Sequence, residues 1–211
     1  MVKRTFDIIS VVCSLPLLLP LLLITGCAVW LKLGTPILFQ QPRAGYKGQP
    51  FVLQKFRTMS SETDEHGTLL ADHKRLTRFG AFLRRTSLDE LPSLWNVLVG
   101  DMSLVGPRPL LVEYLSRYTP EQMRRHDVRP GITGLAQISG RRNLVFSKRL
   151  ELDACYVDTR SFWLDLQILF LTLCRSTDEL HAHQEINDVD DIGLHSLSAN
   201  PTSDSSSRQA A

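Results

Sequence analysis

The chain has 211 residues, a formal net charge of +2 and 43% hydrophobic residues. That is enough chain for one domain with a real core. The near-balanced charge, with no basic stripe interleaved with aromatics, argues against a nucleic-acid partner. The four cysteines (Cys13, Cys27, Cys155 and Cys174) lack metal-type spacing, and two lie in an apolar segment, so a disulfide framework is not expected.

Between Asp7 and Lys32 runs an uncharged segment, Ile8 to Leu31. As a straight helix it would measure roughly 36 Å, against about 30 Å for a bilayer core. Three interpretations compete: a spanning helix, a cleaved signal, and a re-entrant segment. Ile24-Thr25-Gly26-Cys27 resembles a lipoprotein cleavage box, the one feature favouring a signal. Pro16 and Pro20 each remove a backbone donor near the middle and are expected to kink the helix. Lys3 and Arg4 before the segment and the basic residues after Lys32 favour the cytoplasmic side for both flanks. A re-entrant helix over residues 1–34 satisfies both, whereas a straight span places one flank outside.

Pro36 to Gln41 and Pro50 to Phe56 flank a loop with Arg43, Gly45 and Gly48, the pattern of a β-hairpin. Arg57-Thr58-Met59 ends the second strand, and by itself Arg57 reads as a basic residue facing water. Ser60 to His73 is polar and loop-like. Leu76, Phe79, Phe82 and Leu83 recur at helical spacing and are expected to face the core. Arg84 and Arg85 then lead into the densest stretch of the chain.

Ser87-Leu88-Asp89-Glu90 fits a capping box, with Ser87 at the cap and Glu90 reaching back. The same adjacent carboxylates could hold a divalent cation or supply a nucleophile beside phosphate-binding arginines. Spacing alone leaves both open. Leu91, Leu94, Trp95 and Leu98 form an apolar stripe expected in the core. Gly100 suits a helix end, and Gly106-Pro107-Arg108-Pro109 a stiff turn that restricts Arg108, whose alternative is to cap a neighbouring helix. Thr119-Pro120-Glu121-Gln122 carries a capping box with proline at the first helical position. Arg129 to Gly134 and Gly140 to Asn143 are glycine-punctuated basic loops able to meet phosphate through backbone amides. Ser161 to Leu173 is too short to span, and fits either an interfacial helix or a buried one. Residues 177–211 are polar and expected to be disordered.

Asp89-Glu90-Leu91-Pro92-Ser93-Leu94-Trp95-Asn96-Val97-Leu98, followed by Gly100-Asp101-Met102-Ser103-Leu104-Val105-Gly106-Pro107-Arg108-Pro109, resembles the signature of the bacterial sugar transferases, the monotopic phosphoglycosyl transferases. Lys3-Arg4-Thr5-Phe6-Asp7, Lys55-Phe56-Arg57-Thr58-Met59 and Arg129 to Gly134 match at family spacing. The similarity runs from about residue 3 to residue 175. It implies a predominantly helical α+β fold with a re-entrant membrane helix, a small β-hairpin and interfacial amphipathic helices. The catalytic domain would occupy residues 35–176, facing the cytoplasm from the bacterial inner membrane. The implied reaction moves a phosphosugar from a UDP-sugar to polyprenol (undecaprenyl) phosphate through an aspartyl intermediate on Asp89. Glu90 would assist Asp89 or Mg²⁺, which both carboxylates would hold. Arg57, Arg84, Arg108, Arg129 and Arg141 would contact phosphate. The family breaks its membrane helix at a Ser-Pro pair; here the pair is Leu19-Pro20, with Pro16 as a second break. Homodimerisation and contact with downstream glycosyltransferases are further implied partnerships. The alternative is a non-catalytic membrane scaffold for glycan assembly.

Overall fold

The computed structural model describes residues 2–140 and 144–178. Arg141 and the tail beyond Asp178 lie outside the described residues. The architecture is a helical α+β fold with one antiparallel hairpin and one short parallel strand pair.

Helix α1, Val2–Leu33, is 32 residues long and apolar enough to cross a membrane by length and composition. The helix continues through Pro16 and Pro20, although each proline removes one i→i−4 bond. Ser14 Oγ donates to the Val11 carbonyl at 2.8 Å, one residue short of the Val12 carbonyl that Pro16 leaves without its usual donor. Asp7, Val11, Thr25 and Val29 are buried. Their spacing puts them on one stripe, because Asp7 to Thr25 and Val11 to Val29 each span about five turns. Val11 packs with Leu53, Val97 and Met102, and Val29 with Phe56 and Leu83. The opposite face exposes Ile9, Val12, Leu17, Leu23, Ile24 and Leu31.

Polar contacts fix the start of α1. Lys3 Nζ donates to Asp165 Oδ2 at 2.5 Å and to the Tyr156 hydroxyl at 3.1 Å. Arg4 donates to the Val97 carbonyl and, at 2.7 Å, to that of Leu98. Those are terminal carbonyls of a neighbouring helix, where a cation is favoured.

Strands β1 (Leu38–Ala44) and β2 (Pro50–Phe56) pair antiparallel from Leu38↔Phe56 to Ala44↔Pro50. This is the expected hairpin, with the first strand starting two residues later and ending three residues later than the sequence suggested, so that Arg43 lies inside it. A single turn, α2 (Asp72–Arg75), precedes α3 (Arg78–Arg85), which Thr77 caps by accepting from the Gly80 amide. Leu83 of α3 is buried, but Phe82 is 43% exposed. Phe82 lies about 100° around the helix from Leu83, outside the buried face, and its ring meets the Arg85 guanidinium instead. Helix α4 (Ser93–Val99) ends at Gly100 with φ 101°, as expected. Trp95, expected in the core, is 61% exposed. The core-facing positions of α4 are Leu94, Val97 and Leu98, and Trp95 falls one helical step beyond them.

Strand β3 (Ser103–Val105) pairs parallel with β4 (Gly131–Thr133), and α5 (Pro120–Met123) lies between them in sequence with the Thr119–Gln122 capping box formed. Helices α6 (Leu135–Gly140), α7 (Phe146–Thr159) and α8 (Phe162–Asp178) complete the fold. Helix α8 buries Ile168 against Tyr156 and Val105, while Trp163, Phe170 and Leu173 face outward. Its first residue, Phe162, stacks edge-on against Phe6 of α1 at 5.2 Å between centroids. The outward apolar surfaces of α1 and α8 thus meet at the start of each helix.

Gly80 is where α3 crosses the end of β2: a Cβ there would lie 1.8 Å from the Thr58 carbonyl oxygen. Gly80→Ala is therefore expected to destabilise the fold by about 2–3 kcal/mol, measured by denaturant unfolding. A change below about 0.5 kcal/mol would show that this crossing is not tightly packed.

Candidate active site

The two carboxylates sit on a single 3₁₀ turn, Leu88–Glu90, between α3 and α4. Ser87 enters it in the left-handed region, φ 56°, and its side chain caps nothing. The capping-box expectation is corrected here for a physical reason: α4 begins only at Ser93, behind Pro92, so Glu90 is not its third residue. The turn instead presents Asp89 and Glu90 side by side toward β2 and the Gly106–Pro109 turn.

Their environments differ. Glu90 Oε1 accepts from Lys55 Nζ at 2.6 Å and from Arg108 Nη2 at 3.0 Å. Burial pushes its carboxyl up, but Arg108 and Lys55 outweigh burial and hold it down at about 2. Asp89 is buried, and its carboxyl has no hydrogen-bonding partner among the described residues. Burial first, and then the Glu90 charge, push it up to about 6, against the pull of Lys55, Arg108 and Arg84. One carboxylate is thus locked in its ionised form, and its neighbour titrates close to neutrality.

Arg84 closes the other side. Its Nε donates to Thr58 Oγ1 at 3.0 Å, and its terminal nitrogens bond to no described residue. Lys55, Arg84 and Arg108 set three cations against two carboxylates, one of them partly protonated near neutral pH. Such a cluster is built to receive an anion.

Arg57 lies elsewhere. It is buried and donates to the Leu33 and Thr35 carbonyls and to Ser61 Oγ. These contacts clamp the exit of α1. Arg129 Nε donates to the Gly100 carbonyl at 2.7 Å, and its guanidinium lies over the Tyr46 ring; it forms no ion pair with Asp89 or Glu90. The glycines of its loop serve packing. The Gly131 amide donates to the Pro107 carbonyl at 2.9 Å, and a Cβ at Gly131 would lie 2.1 Å from the Gly106 nitrogen.

Lys55 was not among the sequence-derived site residues. The available signal was a lone charge inside the otherwise uncharged strand Pro50–Phe56. Arg125 was missed as well. It forms a buried pair with Asp153 at 2.7 Å and donates to the Arg108 carbonyl at 2.6 Å, fixing the backbone that carries the Arg108 side chain.

Among the described residues, no group of three or more His, Cys, Asp or Glu side chains could by itself hold a metal ion. One or two carboxylates completed by phosphate oxygens and water are, however, the usual donor set for Mg²⁺. Asp89, unpartnered and disfavoured as an anion, is a donor that a cation would stabilise, so these residues fit the ion.

The bacterial sugar transferase family matches residues 1–178. A sugar transferase of Bacillus subtilis, EpsL, described as uncharacterized, is 53% identical over 81% of this chain and 85% of its own length. A Klebsiella pneumoniae protein named UDP-glucose:undecaprenyl-phosphate glucose-1-phosphate transferase is 44% identical over 81% of this chain but 39% of its own length. A protein of that name from Caulobacter vibrioides is 41% identical, covering 81% of this chain and 68% of its own. The chain thus spans well under half of the Klebsiella relative.

The raised Asp89 pKa has a consequence for stability. The folded protein holds the Asp89 proton more tightly than an unfolded chain does, so ionising Asp89 weakens folding. That penalty is absent below about pH 4 and complete above about pH 6, reaching at most about 3 kcal/mol. Asp89→Asn is expected to be about 1–3 kcal/mol more stable than the parent at pH 7.5, with the difference vanishing near pH 4. Denaturant unfolding at the two pH values measures this, and equal stability of the two proteins at pH 7.5 would contradict it.

Proposed function

The chain belongs to the bacterial sugar transferase family, and from that premise we propose that it moves a phosphosugar from a UDP-sugar to polyprenol phosphate, releasing UMP. The observation that carries this is the unequal carboxylate pair: Glu90 neutralised by Lys55 and Arg108, and Asp89 buried, unpartnered and titrating at about 6. The relatives named as undecaprenyl-phosphate glucose-1-phosphate transferases support the donor and acceptor classes.

Asp89 acts as the nucleophile in its ionised form. A carboxylate oxygen attacks the sugar-bearing phosphorus, the bond from that phosphorus to the bridging oxygen breaks, and UMP leaves with that oxygen and the electron pair. The polyprenol phosphate oxygen then attacks the same phosphorus, and the bond to Asp89 breaks, giving polyprenol diphosphosugar and free carboxylate. Mg²⁺, held by Asp89 with help from Glu90, would withdraw charge from the phosphoryl oxygens. Arg84 presents free guanidinium nitrogens to the same oxygens as charge develops. Arg108 and Lys55 keep Glu90 ionised without leaving its full charge to repel the substrate. The raised pKa of Asp89 keeps the nucleophile basic enough to attack while leaving it mostly ionised at neutral pH.

Membrane placement follows the same logic. A stripe of α1 rests on the polar domain at both ends, through Asp7 and Val11 and again through Thr25 and Val29. A helix crossing the bilayer would have to leave that domain. The contacts therefore support a one-sided, re-entrant or interfacial seating, with the outward apolar faces of α1 and α8 in the lipid. That seating brings the site to the depth of a lipid phosphate.

The test is UMP release by detergent-purified protein supplied with undecaprenyl phosphate, Mg²⁺ and a panel of UDP-sugars. Turnover with one sugar is expected, with an acid limb in kcat/KM near pH 6 and loss of about 10³-fold or more in Asp89→Asn. Chelation should abolish turnover. Full activity in Asp89→Asn would remove the covalent route, and silence of folded wild-type protein with every sugar would overturn the reaction itself.

A further inference from the structure

The Lys3-Arg4-Thr5-Phe6-Asp7 motif contains a carboxylate that the proposed chemistry leaves unused. Asp7 is 3% exposed and forms no salt bridge among the described residues. An unpaired buried carboxylate is costly unless strong donors meet it. Two do: Ser103 Oγ donates to Asp7 Oδ2 at 2.8 Å, and the Leu104 amide donates to Oδ1 at 3.2 Å. Both donors belong to β3.

Strand β3 pairs with β4 through Ser103 and Val105, so the Leu104 amide faces the opposite edge. Among the described residues, no third strand pairs with that edge. Asp7 takes the place of one, a side chain from the membrane helix completing a sheet of two three-residue strands.

From β3 the chain passes directly into Gly106-Pro107-Arg108-Pro109. Its backbone is pinned at successive points: Ser103 N to Pro130 O at 2.8 Å, Gly106 N to Thr133 O at 2.8 Å, and Pro107 O from Gly131 N at 2.9 Å. The Arg108 carbonyl takes the bond from Arg125. Within this series, Asp7 supplies the contact that comes from α1.

We propose that Asp7 is a positioning residue: by holding the free edge of β3 it fixes the turn that delivers Arg108 to Glu90, so the seating of the membrane helix sets the geometry of the catalytic cations. The role rests on the phosphosugar-transfer reading of the site, but the contact itself can be tested without it. Arg4 and Lys3, one turn earlier, grip α4, α7 and α8 and provide the internal comparison, because they anchor the same helix without touching β3.

The experiment is a double-mutant cycle on the full chain in detergent, with Asp7→Ala, Arg108→Ala and the combination, read by UMP release and by amide hydrogen exchange over residues 103–109. Asp7→Ala is expected to lower kcat about tenfold with little change in KM for the UDP-sugar, and the double variant to be no worse than Arg108→Ala alone. Exchange over residues 103–109 should accelerate. Asp7→Asn should restore most of the activity, because its amide oxygen can accept from Leu104 while its NH₂ donates to a rotated Ser103 hydroxyl. If Asp7→Ala fails to fold, Ser103→Ala removes one of the two bonds, leaves the helix intact and takes its place in the cycle. Additive losses, or unchanged exchange over 103–109, would overturn the proposal. A wild-type protein that releases no UMP would instead overturn the transfer reaction, and the exchange result would still decide whether Asp7 holds β3.

Discussion

Glu90 Oε1 accepts from Lys55 and from Arg108 at once, and this shared atom joins three segments that are distant in sequence: the end of β2, the Asp89 turn and the Gly106–Pro109 turn. Without those two cations, burial would drive Glu90 toward its neutral form. Its charge would then no longer raise Asp89, and Asp89 would lose the pull of Lys55 and Arg108 as well. The division of labour between two identical functional groups therefore rests on one bifurcated ion pair. A buried acidic dyad without it would share one proton between its members.

That ion pair is supported from outside the site. Strand β2 carries Lys55, and two residues past its end Thr58 orients Arg84 and packs directly against Gly80. Between them Arg57 grips the carbonyls at the exit of α1. The Arg108 turn is held by Arg125, paired with Asp153 on α7, and by the glycine contacts of the Arg129–Gly134 loop. The two cation-bearing arms thus reach back to opposite ends of the same apolar helix. The apolar helix is therefore part of the framework that positions the candidate site.

Much of this was legible in the residues. The hairpin, the Thr119 capping box and the left-handed Gly100 follow from local rules that tertiary contacts did not override. Ser87 shows where such rules fail: it has the right residue type at the right spacing, but Pro92 delays the helix and the turn takes the carboxylates for another purpose. Trp95 and Phe82 were misplaced because a run of adjacent apolar residues covers more of a helix circumference than one core can bury. Arg57 reads on its own as a basic residue facing water, and nothing in one dimension reveals that the carbonyls of Leu33 and Thr35 return to it and bury it. Lys55 and Asp7 were hidden for the same reason, since their partners lie 35 and more residues away.

The buried stripe of α1 also works as a ruler. Asp7 and Val11 dock on one part of the domain, Thr25 and Val29 on another, and the same interval of about five turns, roughly 27 Å, separates each pair. Inserting or deleting one residue between Val11 and Thr25 would rotate one docking pair by about 100° relative to the other and lift it off its seat. Changes of side chain on the outward-facing apolar positions carry no such penalty. Drift among homologous chains should accordingly be free in composition but locked in length across this segment, so that this outer surface changes by exchanging apolar side chains and not by lengthening the helix.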